Sequence, residues 1–158
     1  MVFKIISGGQ TGADTGGLYG ARDAGIPTGG FAPYSFCTEK GYAPWLGTKF
    51  GLVDSGTNYK QRTAMNVGAA DITLWFGSCS GSAGYWATRN AAMKLGKRFK
   101  EIKDMDATRL ANLLDQHKIV NIAGNRESYH PGICQSTRKR IATSLTMIKS
   151  FQIYLDTR

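Results

Sequence analysis

The sequence predicts one α/β domain spanning residues 1–158, built on a mostly parallel open sheet with helices on both faces. Three observations carry that prediction. Short apolar runs rich in β-branched residues alternate with segments of helical spacing, about six of each. The clearest apolar run, Asp71-Ile-Thr-Leu-Trp-Phe76, is nearly unbroken rather than alternating, as a strand buried on both faces is. Glycine-rich loops twice follow a strand and open a helix.

Val2–Ile6 is the first strand, too short for a helix. It breaks into Ser7-Gly-Gly-Gln-Thr-Gly-Ala-Asp14, and helical spacing follows from Thr11 to Ala24. A glycine turn between strand and helix lets the backbone approach a ligand, while the first helical N–H groups point at an anion. The motif is neither of the two named phosphate fingerprints, so a plain strand-to-helix turn is the alternative. Gly16, Gly17 and Gly20 lie inside this helix, where each costs about 1 kcal/mol relative to Ala. Such glycines predict a helix pressed against a sheet or another subunit.

Gly25 stops the helix, and Ile26–Phe31 reads as a second strand. Residues 32–50 show no periodicity and carry several aromatics (Phe31, Tyr34, Phe36, Tyr42 and Trp45 in and beside the stretch), which lie over a flat ligand or pack the loop onto the body or a neighbouring subunit. Leu52–Ser55 is a third strand. A helix over Tyr59–Ala70 places Tyr59, Arg62 and Asn66 on one face, either gripping an anion or forming a solvated polar stripe.

The 71–76 strand ends in Gly77-Ser-Cys-Ser-Gly-Ser-Ala-Gly84, and a helix over Ser82–Leu95 follows. This repeats the opening arrangement. Two such loops at the C-terminal ends of parallel strands converge on the crevice where open α/β sheets bind ligands. Arg98–Ile102 is a further strand and Ala107–His117 a helix, with His117 on its apolar stripe as a capping or partly buried residue. Ile119–Ala123 is the last strand. Its exit carries Asn125, Arg126, Glu127 and Ser128, a polar set that either meets a ligand or closes the loop with Glu127 paired to Arg126. A helix runs from Ile133 to Lys149. Phe151–Leu155 either continues it or forms an apolar tail that favours oligomerisation.

Composition narrows the functional classes. Hydrophobic residues make up 42% and charged residues 20%, ordinary for a soluble domain. No run reaches transmembrane length and the start is unlike a signal peptide, so a cytoplasmic protein without membrane partners is expected. Three scattered cysteines form no C-x-x-C and are expected to be reduced thiols. Cys79 has no histidine near it in sequence to act as base. Net charge is +9, which favours an anionic partner; the basic residues are scattered rather than striped, which argues against nucleic acid.

Five motifs taken together resemble the molybdenum carrier family, the molybdenum cofactor carrier proteins. They are Ser7-Gly-Gly-Gln-Thr-Gly-Ala-Asp14, Gly25-Ile-Pro-Thr-Gly-Gly30, Tyr59-x-x-Arg62-Thr63-x-x-Asn66-Val67, Ala70-Asp71-x-Thr73-Leu74 and Asn121-x-Ala123-Gly124-x-Arg126-Glu127-Ser128-x-x-Pro131-Gly132. The resemblance covers nearly the whole chain in order. It implies a Rossmann-like fold related to lysine-decarboxylase-like phosphoribohydrolases, a homo-oligomer (a tetramer in that family), and the molybdenum cofactor as bound cargo. It also implies molybdenum enzymes or insertion machinery as acceptors, and no catalysis. No protein metal site is expected, because the pterin dithiolene supplies the metal's ligands. The candidate cofactor-binding residues are Gly8, Gly9, Gln10, Thr11, Gly12 and Asp14 from the first loop and Gly30 from the second strand. Arg62 and Asn66 come from the following helix. Ser78, Ser80, Gly81, Ser82 and Gly84 form the second glycine loop, and Asn125, Arg126, Glu127 and Ser128 follow the last strand. The phosphoribohydrolase relatives carry P-G-G-x-G-T-x-x-E, whereas this chain has Ser80-Gly-Ser-Ala-Gly-Tyr-Trp-Ala-Thr-Arg89 and no glutamate there. A nucleoside monophosphate phosphoribohydrolase, or a sensor of nucleotide derivatives, is the alternative on the same scaffold.

Overall fold

The computed structural model describes residues 1–158. The chain opens with β1 (Lys4–Ile6) and turns through residues 7–12 into α1 (Ala13–Asp23). β2 (Thr28–Gly29) and β3 (Phe31–Ala32) follow, then a 3-10 turn at Tyr34–Phe36, β4 (Cys37–Thr38), β5 (Gly41–Tyr42), α2 (Trp45–Phe50) and β6 (Val53–Asp54). The second half comprises α3 (Tyr59–Ala69), β7 (Ile72–Phe76), α4 (Ala83–Leu95), β8 (Arg98–Glu101), α5 (Ala107–Asp115), β9 (Ile119–Gly124) and α6 (Ile133–Asp156).

The central sheet runs in the order β2-β1-β9-β7-β8, every pairing parallel. The chain steps outward from β1 to β2 in one direction and from β7 to β8 in the other. Crossovers of one hand therefore put α1 and α4 on opposite faces, the Rossmann-like arrangement. α1, α5 and α6 pack on one face, and α3 and α4 pack together on the other.

Strand register makes the two faces chemically different. Ile72 sits opposite Val120 and Leu74 opposite Ile122, so with Ile5 and Phe76 they point to one side. There they join Ala13, Ala21, Leu110, Leu114, Ile133, Ile141 and Leu145 in one closed apolar core. The intervening residues, Thr73 opposite Asn121 and Trp75 opposite Ala123, face α3 and α4. That face is polar and carries the cavity described below.

The glycines of α1 find their reason in this packing. A Cβ on Gly16 would lie 2.3 Å from the Cys134 carbonyl oxygen, and one on Gly20 2.6 Å from that of Arg138. The α1 and α6 backbones thus approach each other directly, while Gly17 rests on Ile122 of the sheet. The helix is pressed against both a sheet and a helix of its own chain.

Several expectations are corrected. The 26–31 segment is not one strand: β2 joins the central sheet, and β3 turns away to pair with β6. The segment at 52–55 therefore lies outside the central sheet. Residues 32–50 are built of short regular elements rather than a structureless loop. Ala32, Ala43, Leu46, Phe50 and Leu52 form a second apolar cluster with Leu18 of α1, and Phe50 meets Tyr19 edge-on at 4.9 Å. Tyr34 and Tyr42 point outward, 63% and 71% exposed, so they cover neither a cavity nor the core. α5 ends at Asp115, before His117, whose Nδ1 lies 2.9 Å from the Leu113 carbonyl oxygen. α6 continues to Asp156, carrying Phe151, Ile153 and Leu155 out into solvent. No helix is long and apolar enough to cross a membrane.

Candidate functional site

A cavity of about 530 Å³ opens at the C-terminal ends of β1, β9 and β7 and runs beneath α3 and α4. The two glycine loops do flank one crevice, but β9 lies between their strands, and its exit loop contributes as much as either.

The charge of the cavity centres on Arg62, Asp14 and Arg126. Arg62, from the first turns of α3, is 8% exposed, and its Nη1 lies 3.5 Å from Asp14 Oδ2. A Cβ on Gly8 would sit 1.6 Å from Arg62 Nη1. The glycine after β1 thus seats a guanidinium, where the sequence suggested a phosphate. The α1 N-terminus is correspondingly occupied: the Ala13 N–H donates to the Asn125 carbonyl and the Thr15 N–H to that of Gln10. Asp14 accepts the Gln10 N–H at 3.2 Å.

Burial pushes the Asp14 carboxyl up to about 6, against the pull of Arg62 and of the Gln10 and Gly8 backbone. Burial likewise draws Arg62 below its ordinary value, while Asp14 and Tyr59 oppose that. Both shifts have one cause: desolvation of the pair exceeds its mutual attraction. Arg126 stands exposed at the mouth, and its Cζ and that of Arg62 lie 5.1 and 5.8 Å from the Tyr59 ring centre. With Lys60, three cations line the cavity against the single carboxylate of Asp14.

Four buried polar atoms on the cavity lining have no partner: Gln10 Nε2, Arg62 Nε, Trp75 Nε1 and Asn121 Oδ1. Buried polar groups are normally paired, so four unpaired ones on the lining residues leave hydrogen-bonding capacity unmet around the cavity. Three of the four are donors.

Of the sequence candidates, Gly8, Gln10, Asp14, Arg62, Asn66, Gly81, Ser82, Gly84, Asn125 and Arg126 come together on this cavity. Three of them are already committed. Ser82 accepts the Tyr85 N–H at 3.1 Å and so caps α4. Asn66 donates through Nδ2 to the Phe31 carbonyl and accepts the Phe31 N–H, both at 2.9 Å, so its amide clamps β3. Asn125 accepts the Ser78 N–H at 2.6 Å and donates to the Ser78 carbonyl at 3.0 Å, tying two loops together.

Gly9, Thr11, Gly12, Gly30, Ser78, Ser80, Glu127 and Ser128 do not line the cavity. Glu127 does not pair with Arg126 and lies off the cavity lining. Its carboxylate accepts the N–H groups of Gly132 and Cys134 at 2.6 and 2.9 Å and so caps α6. Thr11 and Ser128 both give their hydroxyls to Glu39, from the turn between β4 and β5. Gly9 packs on Leu46 and Leu52, and Gly12 and Gly30 allow close backbone approach to Asn125 and Ser7. Ser78 and Ser80 hold the second glycine loop internally, and Tyr129 donates to the Ser80 carbonyl across the mouth.

Sequence reasoning placed Tyr59 on the face of Arg62 and Asn66, and missed Lys60, Thr63, Trp75, Thr88, Asn121 and Tyr129 as lining residues. Asn121 had a signal, a lone amide inside an apolar strand. Trp75 had none, because its whole strand reads as buried.

Residues 5–145 match the model of the circularly permutated YpsA SLOG family. The chain belongs to that family. The matched span takes in every residue of the cavity and leaves out the solvent-exposed end of α6. Among solved structures, the chain resembles one described as "Putative molybdenum carrier protein" from Syntrophus aciditrophicus SB, at 30% identity and a TM-score of 0.74. The alignment covers 93% of this chain and 94% of that one. No curated protein matches the chain. The resemblance drawn from the five motifs and the Rossmann-like fold are thereby both established for this SLOG-family chain.

Proposed function

We propose that this chain binds the molybdenum cofactor, an anionic molybdopterin-type ligand, as cargo and holds it for delivery to molybdenum enzymes or their insertion machinery. The observation that carries the reading is the charge of the cavity: three cations, Arg62, Arg126 and Lys60, line it against the single carboxylate of Asp14. An acceptor-rich anion satisfies that set, and a cation does not. Similarity to the Syntrophus protein, a "Putative molybdenum carrier protein", supports molybdenum as the cargo's metal. Residence in the cytoplasm and assembly through the exposed Phe151, Ile153 and Leu155 belong to the same reading.

The test is anaerobic loading with cofactor released from a donor enzyme, followed by gel filtration. Molybdenum and the fluorescent oxidised pterin should both co-elute with the protein, with slower cofactor decay than in buffer. Absence of both from the protein fraction contradicts the reading.

One observation favours a second reading, hydrolysis of a nucleoside monophosphate at its N-glycosidic bond. Asp14 is a buried carboxyl at about 6 in the cavity, poised for proton transfer near neutral pH. Release of free base from a nucleoside monophosphate, lost in Asp14→Asn, would establish it. Nucleotide binding without turnover and without molybdenum would mark a sensor.

A further inference from the structure

Of the cations that line the cavity, Arg62 has a carboxylate partner, Asp14 at 3.5 Å. Arg126 is exposed at the mouth and takes part in no ion pair. Its guanidinium lies instead against the Tyr59 ring, with Cζ 5.1 Å from the ring centre. The Arg62 Cζ lies 5.8 Å from the same point. Two guanidiniums from separate elements, α3 and the exit of β9, thus share one aromatic ring on the cavity lining.

Tyr59 is fixed without help from Arg126. It is the first residue of α3, and Asn58 caps that helix by accepting the Gln61 N–H at 2.9 Å. Arg62 follows three residues on, so the helix itself sets the ring beside it. At the far end of the ring the Tyr59 hydroxyl donates to Cys37 Sγ of β4 at 3.6 Å. Arg62 is held as well, by Asp14 and against Gly8. Arg126 has no such support, and a long exposed side chain without a partner spreads over many rotamers. The two like charges also repel: burial first, and Arg126 after it, draw Arg62 below its ordinary value. The face of an aromatic ring attracts a cation, so Tyr59 offsets that repulsion and gives Arg126 a seat at the mouth.

We infer that Tyr59 is the positioning residue of a two-arginine clamp: its ring holds the Arg126 guanidinium at the mouth, where it closes on an anion that Arg62 meets from inside. Lys60 adds a third cation and Asp14 offsets one charge, so the clamp suits an anion of two or more negative charges. The inference rests on the anionic-ligand reading. It adds that the hold of Arg126 on the ligand depends on its seat on Tyr59.

Isothermal titration with inorganic pyrophosphate at low salt, arranged as a double-mutant cycle, tests it. Tyr59→Leu removes the ring at a half-buried position and should weaken binding about fivefold. Tyr59→Gln, which removes the ring with a polar side chain, should match it. Placed on Arg126→Ala, Tyr59→Leu should weaken binding no further, because no guanidinium is left to seat. Tyr59→Phe keeps the ring and loses only the hydroxyl, and it should bind as wild type does. Nitrate, with a single charge, should compete only at concentrations roughly tenfold higher or more. Equal losses from Tyr59→Leu with and without Arg126 would make Tyr59 a merely structural residue and overturn the proposal. Undiminished binding in Tyr59→Leu and Tyr59→Gln, or a loss in Tyr59→Phe as large as theirs, would overturn it too. Nitrate that binds as tightly as pyrophosphate overturns the charge requirement. Failure of pyrophosphate to bind wild type overturns the anionic-ligand reading with it.

Discussion

Replacing Asp14 by asparagine should change how the stability of this protein depends on pH, and the direction follows from the buried pair. In the folded chain the Asp14 carboxyl is raised from its ordinary 3.8 to about 6 by burial. Between those values the native state holds a proton that the unfolded chain has released. The Asp14 contribution to stability is therefore fully present below about 4 and is lost as pH rises through about 6. The displacement amounts to about 3 kcal/mol in all, of which about 2 kcal/mol falls between pH 4.5 and 7.5. Asparagine keeps the shape and carries no titrating proton. Urea unfolding of both proteins at pH 4.5, 6 and 7.5 measures the effect, and groups common to both cancel in the difference. Wild-type stability minus that of the variant should fall by about 2 kcal/mol from pH 4.5 to 7.5. A flat difference, or one that rises with pH, would mean that Asp14 is held as a carboxylate by Arg62. The claim that desolvation outweighs the ion pair would then be wrong.

Four other outcomes follow from the same contacts. An added negative charge beside Arg62 raises Asp14 further, so anion binding should take up a proton and tighten as pH falls from 8 to 6; pyrophosphate titrations in two buffers of different ionisation heat detect it, and Asp14→Asn should abolish it. Arg126→Ala should weaken anion affinity by about 1.5–3 kcal/mol with an unchanged melting curve, and unaltered affinity would remove Arg126 from the site. Burial raises Glu39, but its hydrogen bonds from Ser128 and Thr11 outweigh that and hold it below its usual value, so its contribution is present above about 4.5 and lost on acidification. Glu39→Ala should free the β4–β5 turn, seen as faster proteolysis near residues 37–45 and a loss of about 1–2 kcal/mol. Gly16→Ala would gain up to about 1 kcal/mol in an isolated helix. Here its Cβ meets the Cys134 carbonyl, so thermal unfolding should instead show a net loss of about 1–3 kcal/mol.

The parts of the fold legible in the sequence were those with a long period. The 71–76 run, the 83–95 helix and the last strand announce themselves because each keeps one pattern over five or more residues. Residues 32–50 escaped because their elements are two to six residues long, below the length at which a period shows. Their order comes from tertiary contacts of Ala32, Ala43, Leu46, Phe50 and Leu52 with Leu18.

The site was legible in its location and less so in its chemistry. Arg62 and Asp14 fall where the motifs put them, yet Asn66, Asn125 and Glu127 spend their polar atoms on backbone groups. An asparagine that clamps a strand and one that meets a ligand are the same letter at the same kind of position. Trp75 and Asn121 lie on the cavity side of the sheet because of strand register, which pattern alone does not fix when both faces of a strand are buried.

The most direct measurement is the position of molybdenum itself. Crystals of anaerobically loaded protein, measured on both sides of the molybdenum absorption edge, locate the metal without reference to any side chain. A single anomalous peak inside the cavity, beside Gly8, Arg62 and Arg126, is the predicted result. A peak on the outer surface, or none in protein that retains stoichiometric pterin, would contradict the assignment of this cavity as the cargo site.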